Sequence, residues 1–223
     1  GNMADAGSKT HEFQVIADNG EDDIITAKAI GYASNIETAG TKRVNLEFAK
    51  SSNLEEVETL DLPTCVQVAN LLNIPTHQTL KSLVFTAKYP KKDGSFKEAH
   101  YLIMLLGDDE INEVKLINNF KGAASVEPAS AETLEGLNLI KGYMSPIERS
   151  GFAVLFDEAV DLEAGYVVGA NKENYHTKGF TPSRDVESYK VADLRLLKKV
   201  MLLLMEKHQS SLEKVLKRDR FFS

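Results

Sequence analysis

A single cysteine, Cys65, is all the thiol chemistry in this 223-residue chain, so an internal disulfide is excluded and no thiolate cluster can hold a metal. Long hydrophobic runs are missing too. The longest apolar windows, residues 101–106 and the broken run 194–205, are too short or too charged to span a bilayer, and none stands near the N-terminus. The chain reads as soluble and cytoplasmic. Positive charge is scarce: 26 Lys and Arg against 33 Asp and Glu give a net charge of −7. That balance argues against a general nucleic-acid binder, whose affinity comes from neutralising phosphates. The scarcity is uneven, because residues 190–223 hold nine basic and four acidic side chains and leave −12 on residues 1–189. A polynucleotide ligand would have to be held by a local patch, or mainly by another domain.

Several chemical signatures are also absent. There is no Gly-x-Ser-x-Gly elbow or equivalent serine, histidine and carboxylate set. The histidines at 11, 77, 100, 176 and 208 lack a metal-ligand spacing such as His-x-x-x-His. Neither a Gly-x-x-x-x-Gly-Lys-Ser/Thr phosphate loop nor Gly-x-Gly-x-x-Gly occurs. Serine hydrolysis, metal hydrolysis and nucleotide hydrolysis drop out, and no metal or cofactor is expected.

What is there is enough for a sizeable core, since 43% of residues are hydrophobic. Gly1-Asn2-Met3 reads as a cloning remnant and is set aside. Residues 11–17 have the partial alternation of a strand, ahead of a turn at 18–23 marked by Asn19-Gly20. Residues 64–72 place Val66, Val68, Ala69, Leu71 and Leu72 on a helical face, started by Thr64 and stopped by Asn73 and Pro75. A second helix is expected near Thr76. Residues 82–88 and 100–106 read as buried strands of a hairpin turning at 90–94. Asp108 is the expected cap of a helix running to Lys115. Further helices are expected at 132–140 and 194–216, and strands at 152–156, 166–170 and 176–181. No internal repeat appears. Strands and helices without regular alternation favour an α+β fold or a mixed sheet over a doubly wound parallel one.

Several segments, in order, resemble one family. Thr10-His11-Glu12-Phe13, Gly20-Glu21-Asp22-Asp23 and Tyr32-Ala33-Ser34-Asn35-Ile36-Glu37 resemble the part of the bacterial-type prolyl-tRNA synthetase core that leads into its editing insertion. Thr79-Leu80-Lys81-Ser82-Leu83 resembles that insertion's lysine motif, and the run from Gly107-Asp108-Asp109-Glu110 to Val114-Lys115 its strand-to-helix motif. Gly142-Tyr143-Met144-Ser145-Pro146, Asp157, Gly169-Ala170-Asn171 and His176 complete the set. The resemblance implies a YbaK-like editing domain: a central mixed, barrel-like sheet surrounded by helices, α+β in class. It divides the chain into a synthetase-core flank at 1–50, an editing domain at 51–184 and a C-terminal flank at 185–223.

The implied activity is hydrolysis of the ester of mischarged alanyl-tRNA(Pro), with the tRNA 3′ end as partner. The parent synthetase would be a homodimer. Lys81 becomes the essential cation for the phosphate or ribose of the terminal adenosine, where lysine alone would suggest a solvated helix end. The loop of Gly142, Tyr143, Met144, Ser145 and Pro146 would line the pocket, although Gly and Pro mark ordinary turns everywhere. Asp157 would help to hold the substrate's amino group or the pocket; on its own it reads as a turn or cap residue. His176 would border the amino-acid pocket and set its size, with Gly169 and Asn171 beside it; on its own it reads as a half-buried strand histidine.

A proline site cannot exclude the smaller alanine, because missing methylenes discriminate by only about 1–3 kcal/mol, so a second, hydrolytic sieve is useful. With no Ser or Cys placed as nucleophile, the expected attack is by a water oriented by backbone groups and the adenosine's free ribose hydroxyl.

The resemblance has limits. Neither the motif 2 nor the motif 3 arginine of class II synthetases is found, so no ligase activity is expected. Family-like sequence continues through Arg184-Asp185-Val186 and Val191-Ala192-Asp193-Leu194-Arg195 and stops after Lys199. Residues 200–207, back-translated one base earlier, can encode Gly-Asp-Ala-Ser-Pro-Asp-Gly-Lys, which reads as a frameshifted remnant of the core. Alternatively the tail is an amphipathic helix with Leu197, Met201, Leu204 and Met205 in one stripe. Two other functions stay open: a catalytically silent tRNA- or partner-binding module, and a free-standing deacylase whose specificity is altered by the bulky Tyr143 and Met144.

Overall fold

A computed structural model describes residues 46–196 and, as backbone alone, the paired strands β1 (Ile24–Ala27) and β2 (Tyr32–Asn35). The expected strand at 11–17, the turn at 18–23, the tail stripe and the frameshifted segment lie outside the described residues.

The 46–196 unit is built on a long hairpin. Strands β5 (Leu80–Pro90) and β6 (Phe96–Leu106) pair antiparallel from Leu80 opposite Leu106 to Pro90 opposite Phe96, longer than the sequence suggests. Alternate residues of β6 enter two different cores. Leu102, Met104 and Leu106 join Val154, Phe156, Tyr166 and Phe180 on one face, while Ile103 and Leu105 meet Phe85, Leu116, Phe120 and Leu194 on the other. A strand buried on both faces loses its polar alternation, which is why residues 101–106 read as one apolar run.

Around the hairpin, β7 (Ser125–Pro128) pairs with β5, β8 (Ala153–Asp157) lies parallel to β6, and β11 (Tyr189–Ala192) lies parallel to β8, giving the order β11-β8-β6-β5-β7. A second, antiparallel sheet has the order β3-β9-β10-β4, from Ala49–Lys50, Ala164–Gly169, Tyr175–Phe180 and Glu55–Glu58. A bridge between Thr79 and Val167 carries β9 against the start of β5, so the two sheets curl into a half-barrel. This is the mixed α/β, barrel-like architecture that the resemblance implied.

Helix α1 (Cys65–Leu72) starts at a capping box: Thr64 Oγ1 accepts from the Gln67 N–H, and Gln67 Oε1 accepts from the Thr64 N–H. It ends at Asn73, whose φ of 53° is the left-handed cap that asparagine tolerates. The other expected helices are corrected. Near Thr76 there is only a 3-10 turn, Thr76–Gln78. Helix α2 is Glu113–Asn118 and is capped by Asn112 rather than Asp108. The residues between do other work: the Asn112 N–H donates to Leu194 O and the Leu196 N–H to Glu110 O, so this stretch pairs with residues 194–196, just after β11. The same pairing keeps residues 194–196 out of the expected helix. Helix α3 (Ala131–Gly136), capped by Ser130, is shorter than expected, and α4 (Pro182–Asp185) is one turn.

Candidate active site

Between α1, the start of β5, the ends of β9 and β10 and the 140–144 loop lies a cavity of about 550 Å³. Of the residues singled out in the sequence, Lys81, Gly142, Met144, Gly169 and His176 line it. They come from four separate segments, and the sheet register is what gathers them: His176 lies opposite Gly169, while Lys81 follows the Thr79–Val167 bridge by two residues.

Gly169 is where the 142–146 loop meets the sheet. Any Cβ at this position would land on the Tyr143 carbonyl and on Met144 N, so the close approach requires glycine. Gly142 has φ of +89° and would put a Cβ 2.7 Å from the Pro63 Cβ. Asn171, itself left-handed at φ 52°, ties the loop down. Its Oδ1 accepts from the Ser145 N–H at 2.9 Å, and its Nδ2 donates to Ser145 O, Ser145 Oγ and Ile147 O at 3.1 Å each. Its own N–H donates to Tyr143 O. Ser145 and Pro146 are buried and support the loop from behind. Tyr143 stands behind the lining as well, with its hydroxyl on Asn174 Oδ1 and its ring 5.4 Å from that of His176.

His176 is held in place and neutral. Burial depresses its imidazole to about 4, and Nδ1 lies 2.7 Å from the hydroxyl of Thr59, which is fully buried. A histidine so placed is uncharged at neutral pH. Thr59 carries no signal of its own in the sequence, because it meets His176 only through the pairing of β4 with β10, 117 residues away.

Lys81 sits on β5, not at a helix end, and its Nζ donates to the backbone carbonyl of Asp109 at 2.5 Å. Its charge acts on the thiol of Cys65, which also meets Thr79. Burial nonetheless pushes that thiol up, so Cys65 is protonated at neutral pH and is a poor nucleophile. The hydroxyls are committed elsewhere. Thr64 donates to Gln67 Oε1, Thr79 to Thr76 O, and Ser82 to the Met104 sulfur. Each proton a base would have to remove is already given to a partner that is not a base, so the lining offers no activated side-chain nucleophile.

Asp157 is not brought to the cavity. Its carboxylate is fully buried, with Oδ1 accepting from the Ala159 N–H and Oδ2 from the N–H groups of Leu194 and Arg195. The Arg195 Nε lies 3.9 Å away. Both oxygens are occupied in holding the chain, which is the turn-and-cap reading of this residue rather than contact with a substrate. A second cavity of about 850 Å³ adjoins the first through Leu83, Lys141 and Met144. Among the described residues, no cluster of three or more His, Cys, Asp or Glu is placed to hold a metal.

A model of the aminoacyl-tRNA editing domain family matches residues 59–185, which takes in the whole cavity. The chain belongs to that family. Curated relatives are proline–tRNA ligases: that of Fusobacterium nucleatum is 35% identical over 196 residues, and that of Bordetella bronchiseptica 38% identical over 193. These alignments cover 87% and 85% of this chain but 33% of each relative, so this editing domain spans about a third of the length of the curated relatives it matches. A solved structure of a proposed trans-editing enzyme for prolyl tRNA synthetase shares the fold, with a TM-score of 0.52 at 21% identity over 64% of this chain and 86% of that one. As an editing domain related to prolyl-tRNA synthetase, the chain is of the family that its lysine, strand-to-helix and loop motifs suggested.

Proposed function

We propose that this editing domain hydrolyses the ester of mischarged alanyl-tRNA(Pro), releasing alanine and free tRNA, and that it ligates nothing by itself. The observation that carries the reading is the pairing of Lys81 with His176 across one cavity that contains no activated nucleophile. The ammonium of Lys81 suits the phosphate or ribose oxygens of the terminal adenosine. The neutral His176 ring, braced by Thr59 and Tyr143, suits a wall that admits alanine's methyl and stops proline's ring.

In this reading a water oxygen attacks the ester carbonyl carbon, the bond to the ribose oxygen breaks, and the water's proton passes to that leaving oxygen. Backbone groups of the 142–146 loop and the free ribose hydroxyl orient the water. The ester is already activated, so orientation is the main requirement. The 3′ end is the only part of the tRNA that the cavity needs to take, which suits a domain whose residues 1–189 carry −12. The setting would be the cytoplasm, as part of a homodimeric synthetase.

Incubating the purified chain with alanyl-tRNA(Pro) and prolyl-tRNA(Pro) tests the proposal. Alanine release with prolyl-tRNA spared is the expected result. A chain that binds tRNA without releasing any amino acid would instead be a silent module, and preference for another mischarged tRNA in a panel would make it a deacylase of different specificity.

A further inference from the structure

Arg195 is fully buried, and guanidinium is the side chain that cannot shed its charge on burial. It lies between two buried carboxylates, 3.7 Å from Asp109 Oδ2 and 3.9 Å from Asp157 Oδ1. Asp157 also accepts from the backbone N–H groups of Leu194 and Arg195, so it fixes where the arginine leaves the chain. On the other side, Ile111 bridges Arg195, and bonds from Asn112 to Leu194 and from Leu196 to Glu110 zip the two segments together. Asp109 is the last link: its carboxylate faces Arg195, and its backbone carbonyl takes the ammonium of Lys81.

We infer that Arg195 is a positioning residue for the editing cavity, acting through Asp109 on Lys81 and anchored in turn by Asp157. An ammonium has three N–H groups, and the one given to Asp109 sets the direction of the others. A lysine on a flexible four-carbon stem gains most from such a tether, because an anchor for a phosphate or ribose has to be pre-oriented to bind well. The network also gives Asp157 a role in the site without contact with substrate. It lies outside the cavity, three residues removed from it along the chain Asp157, Arg195, Asp109, Lys81.

The kinetic arm of the test rests on the deacylase reading; the chemical arm does not. Arg195→Gln, Arg195→Lys and Asp109→Asn are compared with wild type and with Val154→Ala, a core truncation that destabilises without touching the network. Loss of folded protein lowers the apparent kcat and leaves KM alone, whereas a misdirected anchor raises KM. With alanyl-tRNA(Pro), Arg195→Gln and Asp109→Asn should raise KM by about tenfold, the loss of roughly one charge-assisted hydrogen bond, and Arg195→Lys by less. Val154→Ala should not raise it.

Independently of catalysis, acetylation of Lys81 by N-hydroxysuccinimidyl acetate, followed by peptide mass spectrometry, should be several-fold faster in Asp109→Asn and Arg195→Gln than in Val154→Ala. Should Arg195→Gln not fold, Arg195→Lys and Asp109→Asn carry both arms. A KM and an acetylation rate no different from those of Val154→Ala would overturn the inference. A wild-type chain without deacylase activity would overturn the proposed function instead, and the acetylation rates would still decide this one.

Discussion

Asn171 holds Ser145 by its backbone N–H, its backbone carbonyl and its hydroxyl, so one amide side chain sets the position of the loop that faces the cavity. Its left-handed backbone, φ 52°, costs asparagine little. Asn171→Gly would keep that conformation and lose every side-chain bond. It should lower deacylation of alanyl-tRNA(Pro) by about tenfold or more, from a loop shift of the order of 1 Å, while thermal melting still shows a cooperative transition. Unchanged activity would remove the loop from the mechanism.

Gly169→Ala is expected to do worse. The added methyl would fall on the Tyr143 carbonyl, which cannot move without breaking the bond it accepts from the Asn171 N–H. A destabilisation of at least about 2 kcal/mol in urea unfolding is expected, with activity lost.

Lys81→Ala should abolish deacylation while leaving the fold intact, because the side chain's one described bond is to a carbonyl at the cavity edge. The check pairs the deacylation assay with a circular dichroism melt. Near-normal turnover would take Lys81 out of the chemistry.

His176 makes two separable predictions. Its imidazole titrates near 4 in the folded chain against 6.5 ordinarily, so the unfolded chain takes up a proton first as the pH falls. The resulting destabilisation is absent above about pH 6.5 and grows to about 3 kcal/mol by pH 4, measurable as the difference between wild type and His176→Gln in urea titrations. The deacylation profile should show no inflection near 6.5, since the ring stays neutral there. His176→Ala should also begin to release proline from prolyl-tRNA(Pro); complete protection of that ester would count against the size-wall role.

Much of the cavity was legible because its residues come in short local patterns. Thr64 to Asn73 could be bounded by a cap at each end, and Gly142, Gly169 and His176, singled out by the resemblance, line the cavity, with Asn171 holding its loop. What was not legible depends on partners far along the chain. Asp108 looked like a helix cap because it precedes two acids and an apolar run, but the neighbouring residues are claimed by 194–196, and the cap falls to Asn112. Asp157 was singled out by the resemblance; its carboxylate accepts from the backbone of Ala159 nearby and from backbone 37 and 38 residues away. Strands β3, β4, β7 and β11 are four residues or fewer, too short for alternation to register, and are made by what they pair with.

The edge strand β11 and the arginine just after it set a lower limit on what can fold alone. The family match ends at Asp185, yet a chain cut there would take the Arg195 guanidinium away from Asp157 and Asp109, and removing one partner of a buried ion pair costs about 3–5 kcal/mol. That is a large share of the stability of a domain this size. The stretch that betrays the ancestry of this protein is therefore shorter than the stretch that must be synthesised for it to stand, and excision or grafting has to carry the sequence through Leu196.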